Sequence, residues 1–204
     1  MTRLPDISLS GPMRSGKTTC QDYLVQTYGY TPMSFAYAIK VQVARGINTS
    51  LHASDLDREP LKSRVRGILQ YWGNEFRRKE DPDYWVGKLS RRLWQTKEDD
   101  PDTPVVIADT RFKNELALLK GRGFTTVKLE MSQEDVYKYF QESDGPTLGR
   151  TEFQGMMLHD SEHDLDEEEF DVILESKRGK VEDLLKRLDT NLMVKSDGGE
   201  DVSA

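Results

Sequence analysis

The chain is poor in the residues that build cross-links and metal clusters. It has one cysteine, Cys20, and three histidines in 204 residues. A single thiol excludes an internal disulfide and any cluster held by several thiolates, and this usage fits a reducing, cytoplasmic setting. No apolar run approaches the ~20 residues that a membrane span requires, so no membrane partner is expected. The opening residues, Met1 to Asp6, lead straight toward a predicted strand without the apolar core of a signal peptide. Positive charge is also scarce: 29 Lys and Arg stand against 36 Asp and Glu, a net charge of −7. That balance argues against an extended nucleic-acid surface, which needs a basic face. It leaves room for a local basic pocket and small anionic substrates.

What is present reads as an ordinary globular chain, with 32% charged and 36% hydrophobic residues. Five short apolar runs predict strands: Ile7–Ser10, Pro32–Ala36, Val105–Ala108, Thr125–Leu129 and Asp171–Leu174. Helical patterns separate them, at about Lys17–Tyr28, several between Tyr37 and Lys97, then Glu115–Arg122, Gln133–Ser143 and Lys180–Leu188. Ser132, followed by Gln133, Glu134 and Asp135, suits a helix N-cap with acids in the first turn. Strands alternating with helices predict an α/β fold, a parallel sheet covered on both faces. One domain is expected over residues 1–190, with a helical insert at 37–97 and a Gly- and charge-rich lid-like segment at 144–169. The acidic run Asp164–Glu169 reads as a solvated face, and 191–204 as a disordered tail.

The first run ends in Ser8-Leu-Ser-Gly-Pro-Met-Arg-Ser-Gly-Lys-Thr-Thr19, which contains Gly11-x-x-x-x-Gly16-Lys17-Thr18. Strand, Gly-rich turn, then helix is the context in which this pattern forms a phosphate loop. Its backbone N–H groups, at Met13 to Thr19, turn inward at phosphate oxygens, and the helix N-terminus adds partial positive charge. Lys17 then reaches the β- and γ-phosphates, and the Thr18 hydroxyl is placed for Mg²⁺. Ser15 and Thr19 complete the cradle. Arg14 adds a second cation suited to phosphoryl transfer.

Two further stretches bear on an acceptor. Asp109 follows a buried strand, where ligands of open α/β sheets bind, and it suits a Mg²⁺-bound water or an attacking oxygen. Arg111 can clamp a phosphate through its planar fork. A turn-forming Asp and a surface salt bridge are the plainer alternatives, and Asn114 and Glu115 suit a helix cap. Between Arg64 and Val86, Gln70, Asn74, Glu75 and Arg78 recur at helical spacing among aromatics including Trp72 and Trp85. An amide to read a base edge, rings to stack on it and an Arg for its phosphate would make a nucleotide site. An amphipathic helix with core aromatics is the alternative. His159 and His163 have no spacing that defines a metal site.

Together these stretches resemble the deoxynucleoside monophosphate kinases of bacteriophages. That family shows Leu-Gln-x-x-Gly-x-Glu-x-x-Arg, matched at Leu69, Gln70, Gly73, Glu75 and Arg78. It also shows Asp-x-Arg-Phe-x-Asn-Glu, matched at Asp109, Arg111, Phe112, Asn114 and Glu115, and a later His-x-Ser-Glu, matched by His159 to Glu162. Thr110 and Lys113 stand where Val and Pro are common. The resemblance implies a three-layer P-loop kinase fold with a five-stranded parallel sheet, an acceptor-binding helical insert and a closing lid. It implies transfer of the ATP γ-phosphoryl group to a deoxynucleoside 5′-monophosphate with Mg²⁺, in the host cytoplasm if phage-encoded, by an enzyme of a kind that is often a homodimer. Charge on the moving group would be met by Lys17, Arg14 and a lid residue such as Arg150. Lys177 and Arg178 fall where related kinases approach the adenine. Three alternatives stay open: a phosphomevalonate-like acceptor, since animal phosphomevalonate kinases share Asp-Thr-Arg; a modified base in DNA; and an ATPase or nucleotide switch without a small acceptor.

Overall fold

A strand whose every residue is buried, β1 (Ile7–Ser10), stands at the centre of a five-stranded sheet. The computed structural model describes residues 3–143 and 149–196. Helix α1 (Lys17–Tyr28) follows β1 and ends at Gly29, whose left-handed backbone lets its N–H close on the Leu24 and Val25 carbonyls. The next strand, β2 (Thr31–Met33), lies at one edge of the sheet. Pro32 has no N–H to give a ladder, and an edge tolerates that loss. The run expected to continue as strand to Ala36 stops at Met33, because Phe35 already has helical backbone angles and Ala36 opens α2 (Ala36–Ile47).

A 3₁₀ turn (Ala53–Asp57), α3 (Leu61–Gln70), a π-helical segment (Tyr71–Arg77), the single turn α4 (Arg78–Glu80) and α5 (Tyr84–Asp99) follow. The residues from Met33 to Pro101 form a compact unit of their own. Its core gathers Val43, Ala44, Leu56 and Val65, with Ile39, Leu69 and Trp72 packed against them.

The other compact unit comprises the residues up to Pro32 and those from Asp102 onward. It continues with β3 (Val105–Ile107), α6 (Lys113–Gly121), β4 (Thr125–Glu130), α7 (Gln133–Ser143), α8 (Arg150–Met157), α9 (Asp160–His163), β5 (Val172–Glu175) and α10 (Val181–Ser196). The strand order is β2-β3-β1-β4-β5. β1 pairs in parallel with β3 (Ile7 opposite Val106) and with β4 (Ile7 opposite Thr125), and β4 pairs with β5 (Val127 opposite Val172). Ile7, Leu9, Val127, Leu129, Val172 and Leu174 meet Leu24, Leu184 and Leu188 of α1 and α10 in the main core. At about 25 cal/mol per Å² of apolar area, burying such side chains is the main stabilising contribution to the sheet. The chain runs one way from β1 to β2 and the other way from β3 to β4. The carboxyl ends of β1 and β3 therefore flank the switch point where open α/β sheets bind ligands.

Two expectations change here. The lid-like segment is not bare loop: Phe153 and Met157, four residues apart on α8, pack with Val136 and Phe140 of α7. Helix α10 also runs on through Asn191 to Ser196, into the stretch read as tail, because Leu192 continues its buried stripe. Residues 144–148 and 197–204 of the lid and tail readings lie outside the described residues.

Candidate phosphate-binding site

The loop after β1 owes its path to three residues with positive φ: Gly11 at 136°, Arg14 at 65° and Gly16 at 95°. Arg14 is the one non-glycine residue with positive φ among the described residues, a conformation that costs roughly 1–2 kcal/mol for an L residue. Ser15 N–H closes the turn on the Pro12 carbonyl at 3.3 Å. Ser15 itself is buried, and its Oγ has no hydrogen-bond partner among the described residues. Lys17 begins α1 and curls back, its Nζ donating to the carbonyls of Gly11 at 2.7 Å and Pro12 at 2.6 Å. Burial pushes the Lys17 ammonium down to about 7 and the nearby Arg111 charge adds to this, while Glu162 and Asp109 oppose it. Thr18 and Thr19 are exposed on the first turn, where backbone N–H groups have no intrahelical acceptor.

The segment after β3 brings the second set. Thr110 is buried, and its hydroxyl meets Ser8 Oγ of β1 at 3.0 Å, tying the two strand ends together. Glu115, 2% exposed, accepts from the N–H groups of Arg111 at 2.9 Å and Phe112 at 3.2 Å. It therefore caps α6, as its position in the sequence suggests, and fixes the backbone that carries Arg111. The Arg111 guanidinium pairs with Glu162 of α9, whose other carboxylate oxygen accepts from Met13 N–H of the loop at 3.1 Å. Lys17, Asp109, Arg111 and Glu162 thus form one electrostatic group around the loop. Glu162 was not among the candidate site residues. Its only sequence signal was the His-x-Ser-Glu match, which carried no role.

The acidic run after α9 is not simply a solvated face. Asp164 accepts from the Lys113 N–H at 2.8 Å, where α6 begins with unpaired donors, and Glu168 lies 3.8 Å from Lys113 Nζ. Asp166 holds His163 Nδ1 at 2.8 Å. Among the described residues no group of His, Cys, Asp and Glu is arranged to hold a metal by itself.

A cavity of about 310 Å³ adjoins the loop, lined by Arg14, Gly16, Lys17, Thr18 and Thr19 on one side. Met131, Tyr139, Ser176, Lys177, Val181 and Leu184 line the other side, of which sequence reasoning had named only Lys177. Arg178 sits over the Tyr139 ring at 5.9 Å and pairs with Glu142. A second cavity, of about 480 Å³, lies at the carboxyl ends of β4 and β5 and includes Pro12, Glu130, Glu162 and Glu175.

Two further cations, Arg150 and Arg14, make contacts with α7. The Arg150 guanidinium, read as a lid charge for the moving phosphoryl group, bonds Glu134 at 3.1 Å and lies over Tyr137 at 5.4 Å. It is exposed, and α7 rather than the loop holds it. The Arg14 guanidinium lies over Phe140 of α7 at 5.2 Å.

In the helical unit, Gln70 and Glu75 are exposed and Arg78 is half-buried. The segment Tyr71–Arg77 is π-helical, which widens each turn beyond 3.6 residues, so the faces expected from an α-helical repeat shift along it. Glu75 pairs with Lys79 at 2.6 Å. Trp72 stacks on Phe76 at 5.0 Å, donates its indole N–H to Gln42 Oε1 and carries Arg77 over its ring at 4.8 Å. Trp85, expected to stack on a base, is fully buried, with its indole N–H on the Gly73 carbonyl at 2.9 Å. It is core, because Nε1 finds the one acceptor that lets an indole be buried whole.

No family model and no curated protein matches the sequence. Solved structures do match over more than nine-tenths of the chain. A gluconokinase from Sinorhizobium meliloti 1021 superposes with a TM-score of 0.57 at 16% identity, over 95% of each chain. A dephospho-CoA kinase from Campylobacter jejuni gives 0.54 at 14% identity, over 96% of this chain and 98% of that one. A shikimate kinase from Bacteroides thetaiotaomicron gives 0.52 at 13%, over 93% and 99%. The chain has the P-loop kinase fold: a five-stranded parallel sheet flanked by helices. Among the described residues no helix is long and apolar enough to cross a membrane.

Proposed function

We propose that this protein transfers the γ-phosphoryl group of ATP to a phosphate-bearing small acceptor, a deoxynucleoside 5′-monophosphate. One observation carries the reading: the Met13 N–H from the loop after β1 and the Arg111 guanidinium from the segment after β3 converge on a single anion beside Lys17. A donor set drawn from both strand ends suits a phosphoryl group held between two nucleotides. A nucleotide holder needs only the first. The choice of a deoxynucleotide acceptor rests on the resemblance at Gln70, Gly73, Glu75 and Arg78.

In this reading an oxygen of the acceptor phosphate attacks the γ-phosphorus, a new P–O bond forms, the bond to the β-bridging oxygen breaks, and ADP leaves. The protein's part is positioning and charge neutralisation. Lys17 turns from the Gly11 and Pro12 carbonyls to the β- and γ-oxygens. Arg111 bridges the acceptor and the moving group. The loop-side cavity takes the adenosine, with Tyr139 and Met131 as its apolar contacts. The oxygen donors Thr18 and Asp109 fit Mg²⁺, a hard cation that needs few protein ligands when phosphates supply the rest. Mg²⁺ held there would neutralise charge on the polyphosphate.

The test is coupled ADP release with ATP·Mg²⁺ against deoxynucleoside monophosphates, their ribose forms, hydroxymethylated forms and mevalonate 5-phosphate. Acceptor-dependent release with a deoxynucleotide, abolished in Lys17→Ala, supports the reading. Slow hydrolysis indifferent to every acceptor sinks it in favour of an ATPase, and release only with mevalonate 5-phosphate moves the acceptor.

A further inference from the structure

Glu162 is an acid in an unusual place. Its side chain is 1% exposed, whereas Asp166, four residues on, is exposed. Each of its carboxylate oxygens takes a donor from a different strand end, Met13 N–H on one and Arg111 on the other. A backbone N–H of a phosphate loop and an Arg guanidinium are also the donors that a phosphoryl oxygen takes. One N–H cannot serve two anions at full strength, so a carboxylate and a phosphoryl group compete for this position.

We propose that Glu162 is an internal anion of the phosphate site, displaced when the phosphoryl oxygens of a nucleotide take over Met13 N–H and Arg111. The inference rests on the kinase reading above. Local structure permits the exchange. Helix α9 is a single turn, Asp160–His163, so its movement breaks no long element. The chain just beyond it keeps its own anchor, Asp164 on the Lys113 N–H. Displacement also returns the Arg111 Nη1 donor, and a positive charge no longer offset by Glu162, to the incoming phosphates. A brace that merely aims Arg111 predicts the opposite response to loss of the Glu162 charge.

The experiment is calorimetric binding of pyrophosphate and of ATP·Mg²⁺ to the full chain, comparing wild type with Glu162→Gln. A contact closed about nine-tenths of the time lowers apparent affinity about tenfold, so the near-isosteric Gln variant is expected to bind both ligands about tenfold tighter. Equal or weaker binding by a folded variant overturns the proposal and makes Glu162 a brace. Hydrogen exchange on wild type needs no variant: residues 160–164 are expected to exchange faster with ATP·Mg²⁺ bound, and slower or unchanged exchange overturns the proposal. If wild type binds neither ligand, the kinase reading falls and the inference with it. Tight polyphosphate binding without transfer to any acceptor removes only the acceptor reading.

Discussion

Gly11 and Leu129 lie so close that a Cβ on Gly11 would sit 2.3 Å from the Leu129 carbonyl oxygen. The obstacle is backbone of the central sheet, which cannot step aside as a side-chain tip would. Gly11 also has φ of 136°, a region closed to L side chains without strain. Gly11→Ala should therefore cost about 2–4 kcal/mol of stability and displace the loop. Urea denaturation and nucleotide binding by calorimetry check this, and wild-type behaviour in both would contradict the geometry.

Lys17 gives a pH signature. It titrates at about 7 in the fold against 10.5 ordinarily, chiefly through burial. Between those values the unfolded chain binds the extra proton, so this contribution to stability rises with pH through the window and is lowest below about 7. Lys17→Met should flatten that rise. A polyphosphate beside Lys17 favours the ammonium, so nucleotide binding at about pH 8 should take up close to one proton. Calorimetry in two buffers of different ionisation enthalpy measures the uptake, and identical heats would rule it out.

Glu115 should matter to activity more than its distance in sequence from the loop suggests. Glu115→Ala leaves the Arg111 and Phe112 N–H groups without their acceptor and should cost about 1–2 kcal/mol, the usual loss for a helix cap. Because Arg111 hangs from that backbone, acceptor-dependent turnover should fall by more than the stability loss explains. Glu115→Gln, which keeps an oxygen acceptor, should restore most of both. Parallel denaturation curves and turnover at saturating ATP decide it.

Trp85 and Gln70 should separate cleanly. Trp85→Phe keeps an aromatic ring but removes half of a fully buried indole and its bond to the Gly73 carbonyl, costing about 2–4 kcal/mol, with the acceptor KM unchanged. Gln70→Ala, at an exposed position, should leave stability within about 0.5 kcal/mol and raise the acceptor KM. A KM effect at Trp85 and none at Gln70 would overturn the assignment.

The strand–loop–helix around Gly11 to Thr19 was legible because its signal is local: glycines at fixed spacing, a Lys and a Thr, between an apolar run and a helix. The place of Arg111 just past the end of β3 was legible too, because the apolar run that forms the strand stops at Ala108. Glu162 was not, because its partners lie 51 residues away at Arg111 and 149 away at Met13. The same holds for Asp164, whose acceptor role appears only once α6 starts beside it. Trp85 stayed open between base and core because an aromatic at helical spacing looks the same in sequence whether it faces a ligand or a backbone carbonyl. The π segment likewise shifts which residues share a face, and no single letter in Tyr71–Arg77 announces it.

Met13 belongs to two assemblies at once. Its N–H bonds the Glu162 carboxylate, while its side chain packs into the apolar cluster of Phe140, Phe153 and Met157. A residue shared this way makes the two assemblies thermodynamically reciprocal: whatever factor a bound anion applies to the packing of α7 on α8, a change in that packing applies to the anion. Phe153→Leu, though it touches no ligand, should then appear in the binding constant for pyrophosphate. Variation that tunes affinity need not fall on the loop. It can accumulate in the greasy seam behind it, where a sequence comparison centred on Gly11 to Thr19 would never look.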